Sequence, residues 1–368
     1  MQIINKLRPL LLALAAALPA LAQADIQYAI TRLVLPGDGG SPTSINNSGV
    51  VAGGYYSYAD MGTRAFLWSS GNFTLLPATG VQGEYFTEIN QHGAAAMVRG
   101  ELDVSRGHAY RYQDGELTRL GSLKPYATTR ALGLNNNGAI VGDSGLEADT
   151  WSTDAARHAT HYKDGILTDL GTLGGRNSVA ESVNDAGVIV GKSQTAGGGS
   201  EHAFIYVNGQ MTDLGTLGGG YSAAYGINNV GQIVGSSVNA NGQQNAFFYH
   251  NGAMTDLGWL GSNSYARAVN EHGQAVVGQS GGGGWLYSGG AMHNLSTLID
   301  PASGLTIQDV TDINDLGQIV GSACNSFGEC SGVLLTPVPE PETYGMMLAG
   351  LGVLGYAARR RKPKGRAL

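Results

Sequence analysis

Ala224-Tyr-Gly-Ile-Asn-Asn-Val-Gly-Gln-Ile-Val-Gly235 is the stretch of this 368-residue chain that decides the fold. It is followed by Asn245-Ala-Phe-Phe-Tyr249 and Asn251-Gly-Ala-Met-Thr-Asp-Leu-Gly258. An Ile, Val or Leu followed by Asn, with Gly three residues after the Asn, recurs every 42 to 49 residues. The seven asparagines are Asn46, Asn90, Asn135, Asn184, Asn228, Asn270 and Asn314. A repeat of this period indicates an array of small supersecondary units.

Each copy is predicted to form four short β-strands, because runs of apolar and β-branched residues alternate with turn residues. In the fifth copy the strands are predicted at 222–227, 232–236, 246–249 and 253–257. The Asn-x-x-Gly element is predicted to close the first hairpin, with its glycine in the left-handed conformation. The third and fourth strands are joined by pairs typical of type I′ hairpins. These pairs are Asp114-Gly115, Asp164-Gly165, Asn208-Gly209 and Asn251-Gly252.

Four antiparallel strands every 40 to 45 residues are typical of a propeller blade. The sequence therefore predicts an all-β, seven-bladed β-propeller of about 44-residue repeats. Tyr28-Ala-Ile-Thr-Arg-Leu33 resembles a fourth strand, whereas the last copy stops after its third strand at Val333-Leu-Leu-Thr336. We expect the N-terminal strand to complete the last blade and so remove two open sheet edges. An open β-solenoid, which needs no such exchange, is the alternative.

The N-terminus is typical of an export signal. Lys6 and Arg8 precede the apolar stretch 10–21, and Ala22 and Ala24 occupy the cleavage positions. This order predicts a signal peptide over residues 1–24. The propeller ectodomain is then expected to span residues 25–337.

Residues 338–368 form a tail with three parts. An uncharged stretch at 343–358 would span only about 24 Å as a helix, less than the roughly 30 Å of a hydrocarbon core. We therefore expect one short C-terminal transmembrane helix, with the basic residues after it in the cytoplasm. The motif before the helix and the first basic residues after it are Val338, Pro339, Glu340 and Pro341, then Arg359, Arg360, Arg361 and Lys362.

This tail closely resembles the PEP-CTERM sorting signal of Gram-negative bacteria. The resemblance implies an exosortase-type processing enzyme as a partner. It also implies that the inner membrane holds a transient precursor, after which the protein reaches the cell surface or extracellular matrix. The tail is expected to be cut near Pro339 to Pro341.

Charge and cysteine content agree with export. Of the 21 lysines and arginines, two precede Ala24 and six follow Ala358, which leaves 13 basic against 28 acidic residues in 25–342. A segment with a formal charge of −15 is not expected to bind nucleic acid, which selects basic surfaces. Cys324 and Cys330 are expected to form a disulfide in an oxidising compartment. Two free thiols are the alternative.

The repeat also resembles a known family. The resemblance rests on His202-Ala-Phe-Ile-Tyr206, Thr212-Asp-Leu-Gly-Thr-Leu-Gly-Gly219 and the Asn-x-x-Gly stretch quoted above. These segments are similar to the HAF repeats of extracellular bacterial proteins. The resemblance implies an extracellular repeat architecture and supplies no reaction or ligand.

Two polar positions of the repeat are candidates for chemistry. A ring of histidines can bind metal, but equivalent side chains on neighbouring blades lie too far apart to share a coordination shell. We expect the histidines to bond to backbone between strands, and the aspartates to form turns or link blades. The residues concerned are His108, His158 and His202, and Asp169, Asp213 and Asp256. The sequence assigns no catalytic residue, metal ligand or cofactor, and nothing in it supports calcium, the one cofactor considered.

The third copy carries an insertion at about 146–156, in which Trp151 is the candidate ligand residue because its ring can stack on a sugar. Loops on rigid scaffolds are common binding positions. We predict a non-enzymatic binding or structural protein of the cell surface or matrix, with extracellular polysaccharide or biofilm as its setting. A polysaccharide hydrolase or lyase and a calcium-dependent adhesin are the alternatives.

Overall fold

The computed structural model describes residues 27–34, 40–59, 61–76, 83–101, 103–147, 155–197 and 199–338. The chain divides into two units, of which residues 29–336 form the propeller. The second unit comprises residues 1–28 and 337–368, and nearly all of it lies outside the described residues. The predicted signal peptide and C-terminal helix therefore lie outside them too. In the part that is described, no helix has the length and apolar character needed to cross a membrane.

The described strands form seven four-stranded antiparallel sheets, which confirms the predicted all-β, seven-bladed propeller. The first strand, β1 (Gln27–Arg32), belongs to the last blade. Blades 1 to 3 consist of β2 (Gly40–Ile45), β3 (Val51–Ser57), β4 (Gly62–Ser69) and β5 (Asn72–Leu75); β6 (Glu84–Ile89), β7 (Ala95–Glu101), β8 (Asp103–Gln113) and β9 (Glu116–Arg119); and β10 (Thr129–Leu134), β11 (Ile140–Gly145), β12 (Arg157–Lys163) and β13 (Ile166–Asp169). Blades 4 to 6 consist of β14 (Gly174–Val183), β15 (Ile189–Thr195), β16 (Glu201–Val207) and β17 (Gln210–Asp213); β18 (Gly218–Ile227), β19 (Ile233–Asn239), β20 (Gln244–His250) and β21 (Ala253–Asp256); and β22 (Ser264–Val269), β23 (Ala275–Gln279), β24 (Gly284–Ser288) and β25 (Ala291–Asn294).

Blade 7 is built from both ends of the propeller. Its strands are β26 (Leu305–Ile313), β27 (Ile319–Asn325) and β28 (Cys330–Val338), with β1 added as the fourth in the order β1-β28-β27-β26. Closure by the N-terminal strand is thus confirmed, and the open solenoid is excluded because both chain ends share one sheet. Two short 3₁₀ helices, Leu295–Thr297 and Pro301–Ser303, lie between blades 6 and 7.

The turns have the conformations that their sequences predict. The glycine of every Asn-x-x-Gly element has a positive φ, between 72° and 85°. Asn208 and Gly209 have φ values of 51° and 84°, as a type I′ hairpin requires, and the three other predicted pairs behave alike. In the fifth blade the predicted strands match the observed ones to within four residues at every boundary.

Apolar side chains fill the spaces between successive blades. Val190 of blade 4, for example, packs in one cluster with Phe247 of blade 5. Phe66 of blade 1 and Leu334 of blade 7 share another cluster, so the ring is closed by packing as well as by strand exchange. Within blade 5 the first two strands approach closely at Gly235, where a Cβ would overlap the carbonyl oxygen of Ala223.

The first strand of each blade lines the central channel and carries a β-bulge. In all seven blades the register shifts by one residue at the position three before the repeat asparagine. A bulge leaves its extra residue outside the regular ladder and turns its side chain in a new direction. The repeat therefore aims one side chain per blade at the channel.

Candidate functional site: the central channel

The seven repeat asparagines form a closed ring at one end of the channel, which we call the lower end. Each side-chain Nδ2 donates to the backbone carbonyl of the equivalent asparagine in the next blade, at 2.8–3.1 Å. Asn314 donates to Asn46, so the ring also joins blade 7 to blade 1. Each Oδ1 accepts from the backbone N–H four residues later. The asparagines are buried and fully bonded, which makes them structural.

The residue after each asparagine forms a second ring. Its backbone N–H donates to the side-chain oxygen of the equivalent residue in the next blade, at 2.8–3.0 Å. The members are Asn47, Gln91, Asn136, Asp185, Asn229, Glu271 and Asp315. Neither ring was predicted from the sequence, because the Asn-x-x-Gly element was assigned to the hairpin turn alone. The signal was present, since every copy follows its asparagine with a side chain that can accept a hydrogen bond.

Above these rings the channel widens into a cavity of about 610 Å³, which we call the upper cavity. Its wall includes the seven bulge residues, Thr43, Thr87, Leu132, Glu181, Tyr225, Arg267 and Thr311. Copies that share the asparagine differ widely at this position, so the upper cavity is asymmetric. Its volume falls in the range of roughly 300–1,000 Å³ that is usual for small-molecule sites.

Glu181 is a carboxyl on the wall of the upper cavity. It accepts no hydrogen bond from any residue that the structure describes, and burial raises its pKa to about 7 against the opposing charges of Arg130 and Lys192. Both cations already have carboxylate partners, because Arg130 binds Asp143 and the Lys192 Nζ lies 2.8 Å from Glu201 Oε2. Glu181 is therefore available to a ligand.

Arg267 and two tyrosines form another part of the cavity wall. The Arg267 Nη2 donates to Asp309 Oδ2 at 3.0 Å, and its guanidinium carbon lies 4.7 Å from the Tyr265 ring centroid. The Tyr225 hydroxyl lies 3.3 Å from the Ser236 hydroxyl. This part of the wall thus offers aromatic faces beside fixed polar groups.

Two carboxyl groups meet where the upper cavity narrows towards the asparagine ring. The Ser44 Oγ lies 2.7 Å from Glu88 Oε1 and 2.9 Å from Asp312 Oδ2, and it accepts from the Ile89 N–H at 3.2 Å. One hydroxyl proton cannot serve two carboxylates, so one acid must itself donate. Asp312 also accepts from the Ile45 N–H at 2.8 Å.

The proton in this pair belongs to Glu88, because Asp312 already accepts from two backbone N–H groups, those of Ile45 and Ile313, as well as from Ser44. Burial and the nearby Asp312 charge raise the pKa of Glu88 well above its usual range. Burial also raises the pKa of Asp312, to about 6. The group joins blades 7, 1 and 2 through one shared proton.

A second, smaller cavity of about 220 Å³ lies at the seam between blades 1 and 2. Its wall includes Gly54, Tyr56 and Thr63 of blade 1 and Tyr85 of blade 2. Thr43 lines both this space, which we call the tyrosine crevice, and the upper cavity. Neither cavity was predicted from the sequence.

The repeated histidines and aspartates pair with each other. The Nδ1 atoms of His158 and His202 lie 2.9 and 2.8 Å from the carboxylates of Asp169 and Asp213 in the same blade. The prediction that these histidines bond to backbone was wrong, because the hairpin brings the carboxylate within reach first. The aspartates do form turns as predicted, since Asp213 Oδ1 accepts from the N–H two residues later. In blade 5 the pair is Asn245 and Asp256.

The other predicted site residues are distributed as follows. Cys324 and Cys330 lie opposite each other on the last hairpin, with Cα atoms 4.0 Å apart, and are joined by a disulfide. Trp151, Ala22 and Ala24 lie outside the described residues, as does the sorting tail after Val338. Within the residues that are described, no group of three or more His, Cys, Asp or Glu side chains is arranged to hold a metal ion.

The fold and the site define a closed seven-bladed β-propeller with structural rings at one end of its channel and an asymmetric cavity above them. The chain belongs to the family described as a protein of unknown function, DUF3466, whose model matches residues 116–330. Residues 337–362 match the PEP-CTERM protein-sorting motif, which confirms the predicted sorting signal. This motif implies export and processing by an exosortase-type enzyme. No curated protein matches the chain.

Solved structures similar to this chain share its fold at low sequence identity. A puromycin-hydrolyzing peptidase from Mycobacterium tuberculosis has a TM-score of 0.57 at 11% identity, over 82% of this chain and 52% of that one. The β-propeller domain of the Trilobed protease from Pyrococcus furiosus has a TM-score of 0.51 at 9% identity, over 70% and 81%. The acylaminoacyl peptidase of Pyrococcus horikoshii has a TM-score of 0.51 at 9% identity, over 82% and 52%. The chain thus spans about half the length of the two whole peptidases.

Proposed function

We propose that this protein is an exported, non-catalytic surface or matrix component that binds saccharide in its upper cavity. The observation that carries the proposal is the bulge position, where seven equivalent backbones present threonine, leucine, glutamate, tyrosine and arginine side chains to one space. Repeat symmetry would make these side chains alike if they served packing alone. A specific ligand requires unlike groups, and this is where the repeat supplies them.

Saccharide suits the chemistry of this cavity. A sugar ring has C–H faces that stack on aromatic rings such as Tyr225 and Tyr265, and hydroxyl edges that bond to charged groups. Glu181 lacks a hydrogen-bond partner among the described residues and can accept from a sugar hydroxyl. Hydrogen bonds to a charged acceptor contribute about 1.5–3 kcal/mol each. Extracellular polysaccharide is accordingly the ligand source we propose.

Binding without catalysis is supported by the state of the carboxyl pair in the channel. A glycosidase needs one acid free to donate and a second carboxylate free to act as nucleophile or base. Here Ser44 lies between Glu88 and Asp312, and both Asp312 oxygens already accept hydrogen bonds. The similar peptidases do not alter this view, because likeness at 9–11% identity is informative about the fold alone.

The route to the surface is the second part of the proposal. The signal peptide over residues 1–24 directs export, and the tail is cut near Pro339 to Pro341 while the precursor is in the inner membrane. The likeness of the repeats to HAF proteins supports an extracellular location. Pulse-chase labelling should show the Arg359 to Lys362 cluster leaving the mature protein. A tail that persists on the mature protein would instead favour a permanent anchor.

A glycan array with the purified full chain tests the binding role. At pH 8, where most of Glu181 is ionised, we expect selective binding that falls at least tenfold in Glu181→Gln, because a charge-assisted hydrogen bond is lost. Glu116→Gln is the matched control, since it removes the same charge at an exposed residue on the outermost strand of blade 2. Release of reducing sugar from any bound glycan would replace the proposal with the hydrolase alternative. Equal binding by the two variants would move the site away from the upper cavity.

A further inference from the structure

The tyrosine crevice has a composition that no other blade reproduces. Blade 1 alone has tyrosine at the position of Tyr56, ten residues after the repeat asparagine, where the other copies have Gly100, Gly145, Gln194, Val238, Ser280 and Cys324. Antiparallel pairing places Tyr56 opposite Thr63. The crevice is therefore specific to the seam between blades 1 and 2.

Gly54 makes room for the crevice. A Cβ at Gly54 would lie 2.9 Å from the Tyr85 Cβ and 3.0 Å from the Thr63 Cγ2, too close for a side chain. Glycine thus lets Tyr85 of blade 2 approach the sheet of blade 1. A tyrosine from each blade then borders the 220 Å³ space.

The aromatic wall is exposed and held in place. Tyr56 is 39% exposed and Tyr58 is 63% exposed, and their ring centroids are 5.2 Å apart in an edge-to-face arrangement. An edge-to-face contact restrains the ring orientation, and Tyr58 covers at most one face of the Tyr56 ring. Burial raises the pKa of Tyr85, so its hydroxyl keeps its proton and can donate. An aromatic face beside hydroxyl groups suits a sugar ring.

The crevice adjoins the upper cavity through Thr43. The Thr43 hydroxyl lies 2.9 Å from the Phe86 carbonyl and 3.1 Å from the Ala52 carbonyl, so it is engaged within the seam. The Thr43 hydroxyl proton is therefore used within the seam, and the side chain forms a low step between the two spaces. A ligand seated in the cavity can extend over this step into the crevice.

We propose that the tyrosine crevice is a second saccharide subsite, so that the ligand is a chain of linked sugars that runs from the upper cavity to the seam between blades 1 and 2. This inference rests on the proposed function and narrows it from saccharide in general to oligosaccharide. Tyr56 stacks on the distal sugar, and Tyr85 and Thr63 bond to its hydroxyls. The cavity, with Glu181, holds the proximal sugar.

Chain-length dependence tests the inference. Glucose, mannose and N-acetylglucosamine, each as oligomers of one to four residues, are titrated against the full chain by calorimetry. In the series that binds, we expect affinity to rise about tenfold or more between one and three residues. Tyr56→Ala should abolish this rise, and Tyr85→Phe should reduce it. Tyr126→Ala, a change at another exposed tyrosine, is the control.

The outcomes separate the two proposals. Binding that does not depend on chain length, or a length dependence that survives Tyr56→Ala, overturns the crevice subsite and leaves the cavity proposal standing. Failure of all three series to bind overturns both. Because Tyr56 is partly exposed, Tyr56→Ala should keep its urea midpoint, and a preserved midpoint assigns any lost affinity to the crevice.

Discussion

The two ends of the channel are built from the same seven strands and obey opposite rules. At the lower end one asparagine per blade makes the same contact in all seven blades. The distance from its Nδ2 to the carbonyl oxygen of the next asparagine varies by only 0.3 Å. Three residues earlier, at the bulge, the same strands present threonine, leucine, glutamate, tyrosine and arginine. The backbone geometry is shared, so the difference lies in what each position has to do.

The comparison teaches how a repeat protein separates stability from specificity. A closed ring needs identical joints, because each blade must meet the next at the same angle. The asparagine supplies such a joint through a donor to the next blade and an acceptor for its own turn. The bulge residue lies outside the ladder and varies from blade to blade, although Thr43 and Thr311 bond from this position to a backbone carbonyl of the next blade.

The largest expected effect is the loss of one joint. Asn314→Ala removes the donor to Asn46 and the acceptor for the N–H groups of Leu316 and Gln318. With the Nδ2 bond to Gln318 Oε1 at 2.8 Å, four hydrogen bonds at about 1 kcal/mol each predict a loss of about 4 kcal/mol in the free energy of unfolding. Urea denaturation measures it. Asn72→Ala, at an exposed residue of an outermost strand, should change it by less than about 0.5 kcal/mol.

If Asn314→Ala and Asn72→Ala both changed the free energy of unfolding by the same small amount, the asparagine ring would not be the stabilising end of the channel. Such a result would mean that strand exchange and apolar packing close the ring without the asparagine joint.

The next effect concerns the shared proton at the boundary between the two ends. The pKa values of Glu88 and Asp312 are raised in the folded state, so their contribution is fully present below pH 4 and is lost as pH rises through about 6 and above. Stability should fall by about 1–3 kcal/mol between pH 5 and pH 8. Glu88→Gln should flatten this profile, because its amide N–H replaces the carboxylic proton as donor to Ser44.

Asp312→Asn is the informative partner variant. It weakens an acceptor for Ile45 and Ile313, so it should destabilise the protein at every pH. If Glu88→Gln proved the harmful change and Asp312→Asn the harmless one, the proton would belong to Asp312 instead. Denaturant midpoints at pH 5, 6 and 8 distinguish the two cases.

The sequence was sufficient for the parts of the fold that depend on local rules. The repeat period and turn pairs such as Asn208-Gly209 predicted seven blades. The last copy, which lacks a fourth strand, predicted closure by the N-terminal strand. The bulge could not be predicted. It shifts the strand register by one residue, and because both polar and apolar side chains line the channel, this shift is not visible in the alternation of polar and apolar residues along the strand. The upper cavity and the tyrosine crevice depend on that shift and on contacts between blades. Glu181 and Tyr85 were therefore not identified, although each differs from its equivalents in most other copies.

A smaller effect is expected at Glu181. Its pKa is raised to about 7 by burial, so an ionised Glu181 weakens the fold as pH rises through 7. Glu181→Gln should stabilise the protein by about 1 kcal/mol at pH 8 and leave it unchanged at pH 5. Glu116→Gln is the exposed control. Destabilisation by Glu181→Gln at pH 8 would mean that Arg130 holds the carboxylate after all, and the cavity would then lose its free acceptor.

The smallest effect is expected from a substitution that already occurs naturally in another copy of the repeat. His202→Asn converts the blade 4 pair with Asp213 into the pair that Asn245 and Asp256 form in blade 5, where the amide bonds to the carboxylate at 2.9 Å. The free energy of unfolding should change by less than about 0.5 kcal/mol. Chelator treatment should likewise leave the melting temperature unchanged, since a pair that accepts asparagine has no need of a metal. A drop of several degrees on chelation, abolished in His202→Asn, would show that the histidines bind metal and that the repeated positions serve more than structure.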